Sequence, residues 1–405
     1  MPISVPALLD SAQTFATAAD SSDAALDLLQ IVDASRAYTS GYTRRNYYDS
    51  AGLLPAADSS LEGMISLVKA GDPYTGSGNG LYLCTGTEWT EFYDLDSGTA
   101  PPIQGETSGY VSGGLEGPTV PATTVNKIEK FPFSSDANAT DVGDLTVGRY
   151  QTAGQSSSTH GYNSGGVAPP LSPPTQNIID KFPFSSNGNA SDVGDLTVKR
   201  QTAAGQHSEN NGYSSGGYDG SVSPALSNVI DKFPFSTDGN ATDVGDLTVT
   251  RWGVAGQSSG TNGYTSGGST PSASNVIDKF PFSSDGNATD VGDLTVARKN
   301  TAGHSSDASG YNAGGDVPGA GTNVIEKFPF ASDGNATDVG DLTLAREKPS
   351  GQSSTVSGYS SGGFIGPANP QRTNVIDKFP FSSDANATDV GDLTAERADT
   401  AGQQV

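Results

Sequence analysis

Residues 275–295 read NVIDKFPFSSDGNATDVGDLT, and KFPF, continued each time by a near-copy of SSDGNATDVGDLT, occurs six times in the chain. Its opening lysines are Lys130, Lys181, Lys232, Lys279, Lys327 and Lys378, spaced by 51, 51, 47, 48 and 51 residues. A second phrase, GYxxGG, also occurs six times, at Tyr110, Tyr162, Tyr213, Tyr264, Tyr311 and Tyr359. The first GYxxGG precedes the first KFPF, and only AGQQV, Ala401 to Val405, closes the chain after the last repeat. The array is thus cut in mid-unit at both ends, and the two fragments add up to one repeat. Such a split predicts a closed ring, with Ala401 to Val405 as the innermost strand of a blade whose other strands come from about Gly105 to Leu145.

A period near 50 residues suits a four-stranded propeller blade. Asn275 to Phe282 alternates Val276, Asp278, Phe280 and Phe282 against Ile277, Lys279 and Pro281, which predicts a strand with Pro281 near its end, where no ladder donor is needed. Asp285 to Asn287 is turn chemistry. Ala288 to Val296 predicts the next strand, with Gly292 as a bulge or a point of close approach. A third strand follows Arg298, and a fourth, over Gly310 to Gly315, ends on a glycine pair. No helix signal occurs in the repeats.

This order of signals resembles the kelch repeat, on Arg298, Gly310-Tyr311, Gly314-Gly315, Asn323 to Phe328 and Gly340 to Thr343. The resemblance covers Ile103 to Val405 and departs in one respect. The tryptophan usual in the kelch outer strand is missing, and Trp252, after Arg251, is the only tryptophan of the repeats. The wording FPFSSDGNATDVGDLT and AGQSSxxxGYxSGG is similar to kelch-like repeats in structural proteins of marine tailed phages. The resemblance implies an all-β, six-bladed kelch-like propeller over 101–405, carried on a tail fibre or other virion appendage.

The composition fits a loop-rich β structure, because the 52 glycines and 24 prolines recur at fixed phase and mark turns. An apolar content of 34% is low, but each blade carries large groups such as Val276, Phe280, Phe282, Leu294 and Tyr311 to bury against its neighbour. Asp and Glu number 45 against 21 Lys and Arg. Twelve of those cations are the six KFPF lysines and the six arginines after DLT, Arg149, Arg200, Arg251, Arg298, Arg346 and Arg397. No basic stripe is left to neutralise phosphates, so no nucleic-acid partner is expected. An arginine repeated once per blade is expected to pair with a blade carboxylate such as Asp293 and to fix the contact between blades. Cys84 is the single cysteine, which excludes an internal disulfide. The opening Met1 to Val5 lacks a signal-peptide pattern and no run reaches 18 apolar residues, so no membrane insertion is expected. The expected localisation is the virion, assembled in a host cytoplasm.

Residues 1–100 read as a separate α+β module. Ser21-Ser22-Asp23 caps a short amphipathic helix over Ala24 to Val32, Ser60 to Val68 reads as a strand, and Gly80 to Phe92 as a hairpin turning at Thr85-Gly86-Thr87. The stretch is similar to small β modules at the attachment ends of phage fibre and appendage proteins. That implies contact with other virion proteins and assembly as a homo-oligomer, with a trimer favoured.

Candidate chemistry is sparse. The histidines His160, His207 and His304 fall at three different phases of the repeat, whereas a site built by repeat symmetry would put them in phase. The residues of a kelch-propeller copper oxidase are missing. Asp285, Asn287, Thr289 and Asp293 fall at positions 1, 3, 5 and 9 of a calcium-like loop, but position 6 is Asp290 rather than glycine, and the second copy opens on Asn187. The plainer reading is an Asx-turn feeding a strand. The sequence therefore leads to no catalytic, cofactor-binding or metal-binding residue. The insertions Val167 to Gln176, Gly217 to Ser227 and Phe364 to Thr373 carry mostly Gly, Pro and Ser. The expectation is a non-enzymatic virion component, structural or adhesive towards a host-surface glycan; the alternative is a glycan-active propeller lyase or hydrolase.

Overall fold

In the computed structural model, the described residues are 104–117, 122–220, 225–318, 320–366 and 371–405, with the backbone of four short strands before them. The chain divides into two compact units, Met1–Thr99 and Ala100–Val405. In the first, Tyr47–Tyr48, Ile65–Val68, Gly80–Cys84 and Trp89–Asp94 form one sheet in chain order. Its first pair is parallel, and the last is the antiparallel hairpin read from the sequence. The helix expected over Ala24 to Val32 lies outside the described residues, and among the described residues every regular element is a strand.

In the second unit one pattern recurs. Ala302–Ser305, Ser309–Ala313, Val324–Pro329 and Thr337–Asp341 form an antiparallel four-stranded sheet, running from inner strand to outer strand. The proline ends the third strand, where a missing N–H costs no ladder bond. Ile325 faces Gly340 while Glu326 faces Asp338, so Val339 is a bulge beside the glycine. The core lies between sheets rather than within one. Tyr311, Ile325 and Leu342 pack against Phe379 and Ala387 of the following sheet. Each repeat tyrosine lies against both KFPF phenylalanines of the next sheet, as Tyr264 does with Phe330 (4.7 Å, stacked) and Phe328 (5.6 Å).

The inner strands make a closed ring. Ala153–Ser156 neighbours Ala204–His207, and the succession passes through Ala255–Ser258, Ala302–Ser305, Ser350–Ser353 and Ala401–Gln404 back to the first. A glycine occupies the same place in each of them. A Cβ on Gly205 would collide with the carbonyl oxygen of Gly154, and likewise Gly256 with Gly205, Gly303 with Gly256, Gly351 with Gly303, Gly402 with Gly351 and Gly154 with Gly402. Only glycine lets backbones come this close.

The C-terminal strand Ala401–Gln404 pairs with Ser108–Ser112, in a sheet completed by Lys127–Pro132 and Thr140–Asp144. The expectation of a six-bladed propeller is met only in part: five sheets of the ring are four-stranded blades, and the one before closure belongs to a seven-stranded sheet instead. Its third and outer strands, Gln371–Pro380 and Thr388–Ala398, run long, and Arg397 and Ala398 go on to pair with Glu116 and Leu115. The irregularity sits where the first and last segments of the propeller unit meet and ties them together, with Arg372 Nη1 donating to the Gly117 carbonyl at 2.9 Å.

Candidate functional site at the axial mouth

The segment that leaves each outer strand crosses one end of the ring to reach the next inner strand, and its geometry begins with the DLT…R text. Thr295 donates through its N–H and hydroxyl to Glu326 of the following sheet. Arg298 Nη2 bonds the same carboxylate at 2.7 Å, and Nη1 donates to the carbonyls of Gly314 and Val324. The arrangement repeats as Arg149–Asp180, Arg200–Asp231, Arg251–Asp278, Arg346–Asp377 and Arg397–Glu129, all buried. The arginine partner expected at Asp293 is therefore Glu326, because Asp293 stays on the outer strand while the guanidinium turns inward to the next sheet. Burial pulls Arg298 below its usual range and the charge of Glu326 opposes this. The pair is a structural rivet between sheets.

The two residues after each arginine emerge around the axis. The first forms a bridge to the loop beyond the glycine pair, as in Tyr150 with Val167, Gln201 with Tyr218, Trp252 with Ser269, Lys299 with Asp316 and Glu347 with Phe364. The second adopts a left-handed conformation in every copy: Gln151, Thr202, Gly253, Asn300, Lys348 and Asp399, with φ between 54° and 66°. Each of their N–H groups donates to the carbonyl of the equivalent residue in the preceding copy. The bonds run from Thr202 to Gln151 (2.9 Å), Gly253 to Thr202 (3.0 Å), Asn300 to Gly253 (2.7 Å), Lys348 to Asn300 (2.7 Å), Asp399 to Lys348 (3.3 Å) and Gln151 to Asp399 (2.8 Å). This closed ring of backbone hydrogen bonds frames the mouth. Five of its six residues carry a side chain where glycine is the least strained choice, and Thr202 is β-branched.

Here the repeat symmetry breaks. The residue after the arginine is Tyr150, Gln201, Trp252, Lys299, Glu347 or Ala398. Part of the mouth is charged and its lysines are paired, Lys348 with Asp399 at 3.2 Å and Lys299 with Asp316 at 3.3 Å; Lys299 Nζ also lies 4.8 Å from the centre of the neighbouring Trp252 ring. Burial raises Glu347 above the ordinary carboxylate range, helped by the charge of Asp316. Burial likewise raises Asp399, against the pull of Lys348. Tyr150 is raised by burial and by Asp399.

The histidines are not brought together, lying in three different sheets. His160 bonds Thr159 at 2.8 Å. His304 stands in its inner strand where the other repeats have Gln155, Gln206, Gln257, Gln352 and Gln403, facing the Gln352 carbonyl (3.2 Å) and the Ser360 hydroxyl (3.1 Å). Its burial holds it down to about 4, so it is neutral and structural. The residues of the calcium-like loop are engaged in the framework. Asp285 pairs with Lys232 of the preceding sheet at 2.5 Å, Asn287 accepts from the Asp246 N–H at 3.1 Å, and Asp290 accepts from the Gly292 N–H at 3.2 Å. Among the described residues no group of three or more His, Cys, Asp or Glu is placed to hold a metal ion. Lys130 has Asn187 at the corresponding position and lies 5.5 Å from the centre of the Tyr110 ring instead. Repeat reading passed over the mouth because it looks for what recurs; the signal there was the failure to recur, two positions of unrelated residues directly after an invariant arginine.

The solved structure of YjhT matches with a TM-score of 0.53 and 13% sequence identity, covering 64% of this chain and 88% of that one. The chain is a β-propeller. No protein-family model matches it, and no curated protein does.

Proposed function

We propose that this propeller is a non-enzymatic display protein of a phage virion appendage, built of kelch-like repeats and adhesive towards a host-surface glycan. On this reading residues 1–100 attach it to other virion proteins and assemble it as a trimer. The observation that carries the reading is the division of labour within each repeat. Residues that make the ring recur copy after copy, and those at the mouth differ in every copy, as recognition surfaces do when a scaffold is kept and its loops are varied. A glycan-active enzyme is the second reading, favoured by Glu347 and Asp399, two carboxylates raised above their usual range at the mouth.

Incubating the full chain with host-surface polysaccharide, and following both binding and the release of new reducing or unsaturated ends, tests the two readings together. Binding without release is the expected outcome. Release that disappears in Glu347→Gln or Asp399→Asn moves the protein to the enzyme class. Light scattering of the full chain against residues 101–405 tests the attachment unit: a trimer is expected of the full chain and a monomer of the propeller alone.

A further inference from the structure

We infer that the neutral half of the mouth, formed by Tyr150, Gln201, Tyr218 and Trp252, is a binding site for an uncharged sugar residue. The inference rests on the adhesive reading above and names its ligand class and place. The four are brought together by backbone. Tyr150, Gln201 and Trp252 each precede a member of the hydrogen-bonded ring, and the members they precede, Gln151, Thr202 and Gly253, are consecutive in it. Tyr218 is bridged directly to Gln201. All four are half-buried, open to solvent yet held.

Their chemistry then selects the ligand. The Tyr150 and Tyr218 rings and the face of Trp252 turned away from Lys299 offer apolar surface for the C–H face of a pyranose, and the Gln201 amide offers one acceptor and two donors to vicinal hydroxyls. Among the described residues, no protein group hydrogen-bonds the side chains of Gln201, Tyr218 or Trp252, which leaves those donors and acceptors for a ligand. Across the mouth both lysines are already paired, Lys299 with Asp316 and Lys348 with Asp399. That arc makes no demand for a carboxylate or sulfate. The strained residue of the neutral arc, Thr202, fits the same account, since a β-branched residue is kept in a left-handed conformation only where the surroundings impose it.

Titration calorimetry of the full chain with the uncharged polysaccharides dextran and mannan, and with carboxylated alginate, tests the assignment at about 0.05 and about 0.5 M salt, conditions that separate screened from unscreened attraction. The expected result is binding of an uncharged polysaccharide that changes by less than about threefold with salt. Trp252→Ala and Gln201→Ala weaken it by about tenfold or more, while Trp252→Phe, which keeps an aromatic platform, stays within about threefold. Asp307→Asn, in the turn after an inner strand at the other end of the ring, leaves it unchanged. Unaltered thermal unfolding of Gln201→Ala separates lost recognition from lost structure. Alginate binding that weakens with salt and survives Trp252→Ala overturns the neutral site while leaving the adhesive reading standing. Uncharged binding that survives both alanine variants also overturns the site. Failure of all three polysaccharides to bind overturns the site and counts against glycan adhesion with it.

Discussion

The inner glycine ring and the axial mouth lie at the two ends of the same short connection, yet they obey opposite rules. At Gly154, Gly205, Gly256, Gly303, Gly351 and Gly402 the sequence never varies, because each Cα abuts a neighbouring carbonyl and no side chain fits. At the mouth the backbone repeats just as faithfully, but the side chains include Gln, Thr, Asn, Lys and Asp in a conformation that suits glycine best. A propeller therefore fixes backbone by one means and frees side chains by another. Where packing dictates the residue, repeats converge; where only the backbone is dictated, they diverge, and recognition can be written there.

The largest effect expected from breaking this contrast is at the inner ring. Gly256→Ala forces a methyl group into the Gly205 carbonyl, and the ring cannot widen at one point without disturbing its other neighbours. We expect a loss of more than about 4 kcal/mol, or no soluble protein. Gly286→Ala, in the turn before an outer strand, meets nothing within 4 Å. It should change stability by less than about 0.5 kcal/mol, as Ala137 and Ala385 already occupy that phase in two other copies. Chemical denaturation of the two variants decides the matter: equal losses would show that the ring is no more constrained than the rim.

Next in size are the rivets. Arg298→Ala strands the buried carboxylate of Glu326 and should cost about 3–5 kcal/mol. Lys279→Ala removes the half-buried partner of the exposed Asp333, at 2.5 Å, and should cost about 0–1 kcal/mol. A similar cost for both would mean that Glu326 finds water or a proton when its partner goes.

Much of this framework was legible from the sequence. The split repeat placed the C-terminal strand, the alternation in NVIDKFPF located the third strand, and Gly292 marked the bulge and a close approach, here to the Gly334 carbonyl. The seven-stranded sheet was not legible, because its extra pairing of Arg397 and Ala398 with Glu116 and Leu115 is made once, between residues 281 and 283 positions apart. The carboxylate partner of Arg298 was misplaced for a related reason. Asp293 is near in sequence, whereas Glu326 becomes a neighbour only when the following sheet packs. The mouth escaped because variation carries no pattern until a ring gives it a common place.

Alkaline titration sharpens the comparison through the framework tyrosines. Burial pushes Tyr110, Tyr162, Tyr213 and Tyr264 up to about 12, from 10 in an exposed state. A phenol whose folded value is raised stays neutral in the native state while its unfolded counterpart ionises. Its contribution is thus intact below pH 10 and is lost as the pH climbs from 10 to about 12. The protein should lose stability steeply over that window. Tyr264→Phe, which retains the stacked ring, should flatten the slope; an unchanged slope would show that the tyrosines ionise without unfolding.

The smallest expected effect lies in the mouth itself, at Thr202. Its φ of 54° places a β-branched side chain in left-handed backbone, and the N–H bond to Gln151 holds it there. Glycine removes the steric conflict, of about 1–2 kcal/mol, but adds unfolded-state entropy worth about 0.5–1 kcal/mol and gives up the hydroxyl bond to the Gln201 carbonyl at 2.6 Å. Thr202→Gly should therefore stabilise the fold by no more than about 1 kcal/mol. Asn300 is the internal control, sharing the conformation at φ 57° with a residue type that tolerates it. Asn300→Gly should gain nothing. If thermal unfolding finds the threonine variant no more stable than the asparagine variant, the mouth is not strained at Thr202, and the hydroxyl bond to the Gln201 carbonyl offsets whatever its left-handed backbone costs.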